Sequence, residues 1–430
     1  MLIGVIVVLG LSILIIAHEA GHFFVAKLFK LKVDEFGFGF PPRIFAWRPF
    51  NKAKGKRGET EYSLNWLPFG GFVKIAGEND QFDEGTTPSA SDKKRFFYTQ
   101  PAWKRSLIIL AGILINFFAG WLLLSIILML GSKPAIFVSD VLPNSLAAAH
   151  SLGNGAVLKG VSNINEFAAQ LKSSNLFKMN FILSDGKETT LTALPNETSH
   201  HAILISDVQA NSPAADAGLA KGDIIQGYTM AQLFIDFVNA HKGEKITLKV
   251  LRGETELILT PTVRANTSRG GLGVTLTEGE LLPKSGLVLN EAGTPPQGFF
   301  ASLGQGFIQS IFIARMTLVG FGTLMADLFT HGTLAQGIVG PIGIFVFANQ
   351  AGQFGLSHVF YLIALISINL AVINLIPFPA LDGGRFFLII LEKIRGARLS
   401  PKTEIILNTI GFGFLVFLMV LISVRDIINL

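Results

Sequence analysis

The sequence predicts a membrane α-helical protein with four transmembrane helices and two exported α+β domains, and three observations predict it. The 430-residue chain is 50% hydrophobic and only 15% charged, against about a quarter charged in soluble globular domains. Four apolar runs each approach the roughly 20 residues that cross about 30 Å of hydrocarbon. Between the second and third of them, a polar stretch repeats itself at a constant offset of 67 residues. The absence of cysteine removes disulfides, thiolate metal sites and Cys nucleophiles. A net charge of +5, scattered along the chain, offers no basic face, and no nucleic-acid partner is expected.

Residues 1–17 carry no charge. No basic residue precedes this run and no small-x-small cleavage site follows it, so it reads as a permanent helix (1–26) rather than a signal peptide. The segment 27–105 holds 15 Lys and Arg. A second span covers 106–130, a third 359–386 and a fourth 404–424. The connection 385–402 adds five basic residues. Basic loops remain on the cytoplasmic side, so both connections face in, and the N-terminus and residues 131–298 face out. Residues 299–329 are apolar but contain Gln305, Gln309, Arg315 and Asp327. They are expected to form an interfacial helix in preference to a fifth span.

The repeat lays 138–161 on 205–228 without gaps, with Ser139/Ser206, Asn144/Asn211, Leu152/Leu219 and Gly160/Gly227 identical. It predicts two copies of one small domain, 133–199 and 200–282. The run Asn211-Ser212-Pro213-Ala214-Ala215-Asp216-Ala217-Gly218-Leu219 resembles bacterial PDZ domains. That resemblance implies a permuted form whose carboxylate-binding loop comes last, at Gly271, Leu272 and Gly273, with a C-terminal peptide as the ligand of the second copy. The first copy departs from the pattern. Leu146 stands where the second has Pro213, Ala156 where it has Asp223, and no Gly-Leu-Gly loop precedes Ile203, so the first PDZ-like copy is expected to be degenerate. The other reading makes both copies steric filters or spacers.

The chemistry gathers at His18-Glu19-Ala20-Gly21-His22. On a helix the i, i+4 spacing sets both imidazoles on one face, able to grip one metal ion, with Glu19 placed to take a proton from water at the metal. The plain alternative is a set of headgroup-facing residues at a span's end. Catalytic zinc takes three protein ligands, and without cysteine the third is His, Asp or Glu. Asp382 is the one carboxylate in the apolar stretch 369–384, where Pro377 and Pro379 interrupt helical hydrogen bonding. Asp382-Gly383 also reads as a turn leaving the membrane. With four spans the first and third run in the same direction, and Asp382 can meet the histidines; a fifth span would put it some 30 Å away.

HEAGH in a first span, exported PDZ-like copies and Asn369–Gly384 in a late span together resemble the site-2 protease family of intramembrane zinc proteases, in its bacterial form. The resemblance implies zinc held by His18, His22 and Asp382, with Glu19 as general base. It implies that Asn369 and Asn374 lie around substrate; a helix–helix hydrogen bond is the competing use. Leu67–Ile75 resembles the family's membrane-associated β-hairpin loop, whose edge at Gly71, Phe72 and Val73 would hold an unwound substrate; an ordinary cytoplasmic hairpin is the alternative. Gly340-Pro341-Ile342-Gly343 matches a further family segment without an evident role. The implied partners are single-span membrane proteins, such as anti-sigma factors or remnant signal peptides, cut in a bacterial inner membrane with the PDZ pair gating access. Two rivals belong to other classes. A membrane-anchored PDZ adaptor with a non-catalytic metal site would not need Glu19. A zinc transporter would need polar residues along several spans, whereas the second and fourth offer little beyond Asn116, Ser125, Asn408 and Thr409.

Overall fold

A backbone in hydrocarbon must satisfy its own N–H and C=O groups, and the apolar runs do so as long helices. The computed structural model describes residues 2–51, 56–78, 90–173, 177–183, 187–265, 270–331, 340–397 and 401–428. The chain opens with α1 (Leu2–Leu28), followed by β1 (Val33–Trp47), β2 (Phe50–Asn51), β3 (Lys56–Arg57) and β4 (Glu61–Ile75). The short α2 (Ala90–Lys93) leads to α3 (Ala102–Leu130). The first repeat copy contributes β5 (Ser132–Val141), α4 (Leu146–Ala149), β6 (Val157–Leu158), α5 (Ile164–Ser173), β7 (Lys178–Ile182) and β8 (Glu188–Thr192). The second contributes β9 (His200–Val208), α6 (Pro213–Asp216), β10 (Ile224–Ile225), α7 (Ala231–Ala240), β11 (Leu248–Arg252) and β12 (Thr255–Leu259). A hairpin of β13 (Val274–Leu282) and β14 (Leu287–Thr294) precedes α8 (Phe299–His331), α9 (Pro341–Gln353), α10 (Leu356–Leu375), α11 (Asp382–Arg395) and α12 (Pro401–Ile428). Two compact units result: a helical one from 1–131, 296–352 and 356–430, and a β-rich one from 132–295 with 353–355.

In the helical unit, α1, α3, α8, α10 and α12 are each long and apolar enough to cross a membrane. The helices α1 and α10 run parallel: Val7 and Val359 share one buried cluster near their N-terminal ends, and a Cβ on Gly10 would meet Ile363 at 2.6 Å. Helix α8 packs lengthwise against α3 and α10, where Trp121 Nε1 donates to the Leu303 carbonyl (3.0 Å) and Thr317 Oγ1 lies 2.5 Å from Asn369 Oδ1. The segment Gly340–Gly343 has a structural role. Asp426 of α12 accepts from the backbone N–H of Gly340 (3.3 Å) and Gly343 (2.9 Å), tying down the start of α9.

The expected third span, 359–386, is two helices. Proline lacks an N–H and its ring clashes with the preceding turn, so α10 stops at Leu375 and the chain passes Pro377 and Pro379 in irregular backbone. The freed Ala380 N–H, at φ 75, donates to Asn408 Oδ1 of α12 at 3.1 Å. The chain then doubles back so tightly that a Cβ on Gly383 would sit 2.3 Å from the carbonyl oxygens of both Leu375 and Ile376. Only glycine admits that approach.

The strands β1 and β4 pair antiparallel, and each folds back on itself. Phe36 pairs with both Val73 and Tyr62, and Phe38 with both Gly71 and Leu64. The result is four short strands in the order 71–75, 33–38, 61–64, 45–47. Segment 71–75 is an edge, with no further strand beside it among the described residues.

In the β-rich unit the two copies merge into one sheet of ten strands, ordered β12-β11-β10-β9-β13-β14-β5-β6-β7-β8. The strand that completes the first copy is β14, which pairs with β5 from Leu287↔Val141 to Thr294↔Ser132. Leu282, Leu287 and Leu289 belong to the core built around Phe167 and Phe181, whereas the second core surrounds Phe234. The expected range 133–199 is therefore incomplete: the second copy is inserted into the first. Strand pairing across that insertion leaves no local mark in the sequence.

On α3, the buried Arg105 donates to both carboxylate oxygens of Glu392 on α11, at 2.9 and 2.8 Å. Removing one member of a buried pair strands the other charge. Glu392→Ala is expected to destabilise the detergent-solubilised protein by about 3 kcal/mol, read as a lower thermal midpoint. The paired apolar replacement Arg105→Met/Glu392→Leu is expected to recover most of that loss.

Candidate metal centre

Helix α1 places His18 and His22 one turn apart, and both are 8% exposed. The turn is held against α3 by two glycines. A Cβ on Gly21 would lie 2.7 Å from the Ala111 carbonyl oxygen, and one on Gly112 would lie 2.4 Å from His22 Nε2. The imidazoles thus stand in space that any larger residue at 112 would fill.

The fold-back at Gly383-Gly384 returns Asp382, the first residue of α11, to α1. His18 Nε2 and Asp382 Oδ2 are 2.9 Å apart, His22 Nε2 and Asp382 Oδ2 3.3 Å, and the two Nε2 atoms 3.1 Å. Two ligands bound at about 2.0–2.1 Å to a tetrahedral zinc stand about 3.3 Å from one another. This donor set, two imidazoles and a carboxylate on one point, fits that ion, and it is the only such group among the described residues.

The ring nitrogens facing away from that point are held by α3. His22 Nδ1 donates to the Ile108 carbonyl at 2.8 Å, which fixes the tautomer that leaves Nε2 its lone pair. His18 Nδ1 lies 3.2 Å from the Asn116 side-chain amide, whose Oδ1 is buried without a hydrogen bond. Asn oxygen and nitrogen are interchangeable by rotation of the amide. Turned over, Asn116 accepts from His18 Nδ1–H and frees Nε2 for a metal. In the sequence Asn116 is a polar residue in an apolar span and nothing marks Gly112; the partners of both are fixed by the α1–α3 packing.

The other expected site residues divide. Glu19 sits beside the edge strand, its Cγ 3.5 Å from where a Cβ of Gly71 would be. Phe72 stacks over Gly37, and Val73 packs on the cluster that includes Phe23 and Val33. Asn369 is engaged with Thr317 of α8. Asn374 is half-buried near the end of α10. Arg385, one turn into α11, pairs with Glu78 just beyond β4, linking the Asp382 helix to the strand region. Gly271, Leu272 and Gly273 lie in the other unit, where the Leu272 and Gly273 carbonyls accept from Ala214 and Gln209 N–H (3.1 and 2.9 Å).

The sequence profile of Peptidase family M50 matches residues 6–418. The chain is 29% identical, over an alignment of 460 positions, to the regulator of sigma-E protease RseP of Salmonella typhimurium, covering 97% of both proteins. It is 28% identical to that of Escherichia coli, again over 97% of each. A Clostridium perfringens protein designated a candidate zinc metalloprotease is 29% identical over 98% of this chain and 97% of its own length.

Gly112→Ala is expected to abolish metal retention although residue 112 is not a ligand. Asn116→Ala is expected to weaken zinc binding about 10–100-fold with the fold intact. Competition against a chromogenic chelator measures both.

Proposed function

The chain belongs to peptidase family M50, and from that premise we propose that it is an intramembrane protease cutting peptide bonds within transmembrane segments of other proteins. As a member of this family it is a zinc metalloprotease. The observation that carries the reading is the convergence of His18, His22 and Asp382 beside Glu19 and the edge strand 71–75. In the proposed roles, the two imidazoles and the Asp382 carboxylate hold the ion. Bound there, zinc polarises a carbonyl and acidifies water. Glu19 takes the proton from water and delivers it to the leaving amine. The Ile108 carbonyl and Asn116 keep the imidazoles oriented through the cycle.

A helical substrate buries its amides and must unwind before a nucleophile can reach the peptide bond. The edge of 71–75 gives the unwound segment a strand to pair with, and Gly71 lets that segment approach Glu19 without a side chain in the way. Engagement with Thr317 supports a packing role for Asn369, while Asn374 is the better placed of the two to meet substrate.

The parallel course of α1 and α10 supports four complete crossings. An even number must separate their starts, and the 13-residue α9 is too short to supply a return crossing of about 30 Å. The basic segments 27–105 and 385–402 then face the cytoplasm of a bacterial inner membrane, with the PDZ-like tandem on the outer side. By analogy with the sigma-E regulators, the substrates are single-span proteins such as anti-sigma factors, or remnant signal peptides. The tandem gates their entry, its second copy taking a C-terminal carboxylate at Gly271–Gly273.

The test is cleavage of a single-span substrate by the purified protein in lipid. Glu19→Gln is expected to keep its zinc and lose about 10²–10⁴-fold in rate, and Asp382→Ala to lose both zinc and cleavage. Full cleavage by Glu19→Gln would overturn the proposal.

A further inference from the structure

The two PDZ-like copies are closely matched in architecture. In the second, Ala214 N–H donates to the Leu272 carbonyl and Gln209 N–H to that of Gly273; in the first, Ala147 and Leu142 N–H donate to Ser285 and Gly286. A Cβ on Gly273 would strike Ser212, and one on Gly286 would strike Ser145, 67 residues earlier. Ala231 N–H donates to Glu278 and Ile164 N–H to Glu291 in the same way. The turn 283–286 is therefore the first copy's counterpart of the carboxylate-binding loop, delivered from beyond the second copy.

The two loops are occupied differently. Glu197 is 4% exposed, and its carboxylate accepts from Lys284 N–H at 3.0 Å and Ser285 Oγ–H at 2.5 Å. A side-chain carboxylate thus takes the kind of donors a peptide C-terminus would use. The adjoining strand edge is filled as well: Leu287, Val288 and Leu289 pair with β5 on one side and with Leu282, Leu281 and Glu280 on the other. In the second copy the matching residues, Val274 to Leu276, pair with β9, and their other edge has no strand among the described residues. The residue 67 positions after Glu197 is Arg264, whose guanidinium lies 3.4 Å from the Cβ position of Gly273. At this matched position the first copy has an acid and the second a base.

We propose that the first copy is permanently liganded by its own Glu197 and by the end of β13, and that the tandem has one site for a peptide C-terminus, on the second copy, with Arg264 as the residue that meets the carboxylate. An acid on the first loop supplies the missing ligand and repels a second carboxylate. A base on the second loop attracts one. Strand β13 takes part in both arrangements: its first half is the open edge of the second copy and its last three residues close the first.

The second-copy half of this inference rests on the peptide-binding reading above, so it is tested without cleavage, on the full-length Glu19→Gln chain in detergent. Hydrogen exchange reads the first copy. Glu197→Ala and the conservative Glu197→Gln are each expected to speed exchange at Lys284 about tenfold and to leave 271–274 unchanged. An array of decapeptides with free C-termini reads the second. The tightest binder is expected to protect 271–277, and to bind about tenfold more weakly as its C-terminal amide or to Arg264→Glu, with Glu197→Gln binding as the parent does. Unchanged exchange at Lys284 in both Glu197 variants, protection at 284–289 by the peptide, undiminished binding to Arg264→Glu, or an array without any binder would each overturn the proposal. Its failure leaves cleavage by the wild-type chain untouched, and failure of the proteolytic reading leaves these exchange patterns unaltered.

Discussion

Three side-chain donor atoms, from residues 18, 22 and 382, meet within hydrogen-bonding distance inside an apolar unit, and much of the helical architecture serves that meeting. It requires α1 and α10 to run parallel, so that the end of one is level with the end of the other. It also requires the chain to stop being helical where a carboxylate has to turn back. Pro377 and Pro379 enforce the stop, Asn408 satisfies an N–H that the stop releases, and Gly383 permits the fold-back against the Leu375 and Ile376 carbonyls. A carboxylate on an uninterrupted helix would continue along the axis of α10 instead of returning to α1.

Orientation matters as much as position. An imidazole offers a lone pair at only one nitrogen, and the other must find a partner away from the metal. Helix α3 supplies both partners, the Ile108 carbonyl and the Asn116 amide, and removes the obstruction between them by having glycine at 112. The same helix carries Arg105, whose pairing with Glu392 holds α11 in place, while Arg385 ties the first turns of α11 to Glu78 beyond β4. The Asp382 helix, the strand region and α3 are thereby joined through partly buried charge pairs.

The β-rich unit meets a different constraint. A repeat whose copies each need a final strand can close them in turn or share one hairpin, and here β14 completes the first copy while β13, adjacent in sequence, pairs with strands of both. The nested arrangement joins two copies, each with its own core, in one continuous sheet. It also leaves the copies unequal: one edge is closed by its neighbour, and the other has no strand beside it among the described residues.

Sequence alone determined the class of the molecule and pointed to the residues that the fold brings together. Apolar runs of fixed length, the i, i+4 histidines, the lone carboxylate in the span at 382 and the 67-residue repeat are local or periodic signals, written in residue type and spacing. It did not reveal that the span at 359–386 is broken into two helices, that Asn369 faces Thr317, or that the strand 287–294 belongs to the domain begun at residue 132. Nor did it show that α3 brings Gly112 and Asn116 against the histidines, or that the Glu197 carboxylate accepts from Lys284 N–H and the Ser285 hydroxyl. Those facts depend on which segments touch, and contact between residues scores or hundreds of positions apart is settled by the packing of whole helices and strands, which no local pattern encodes.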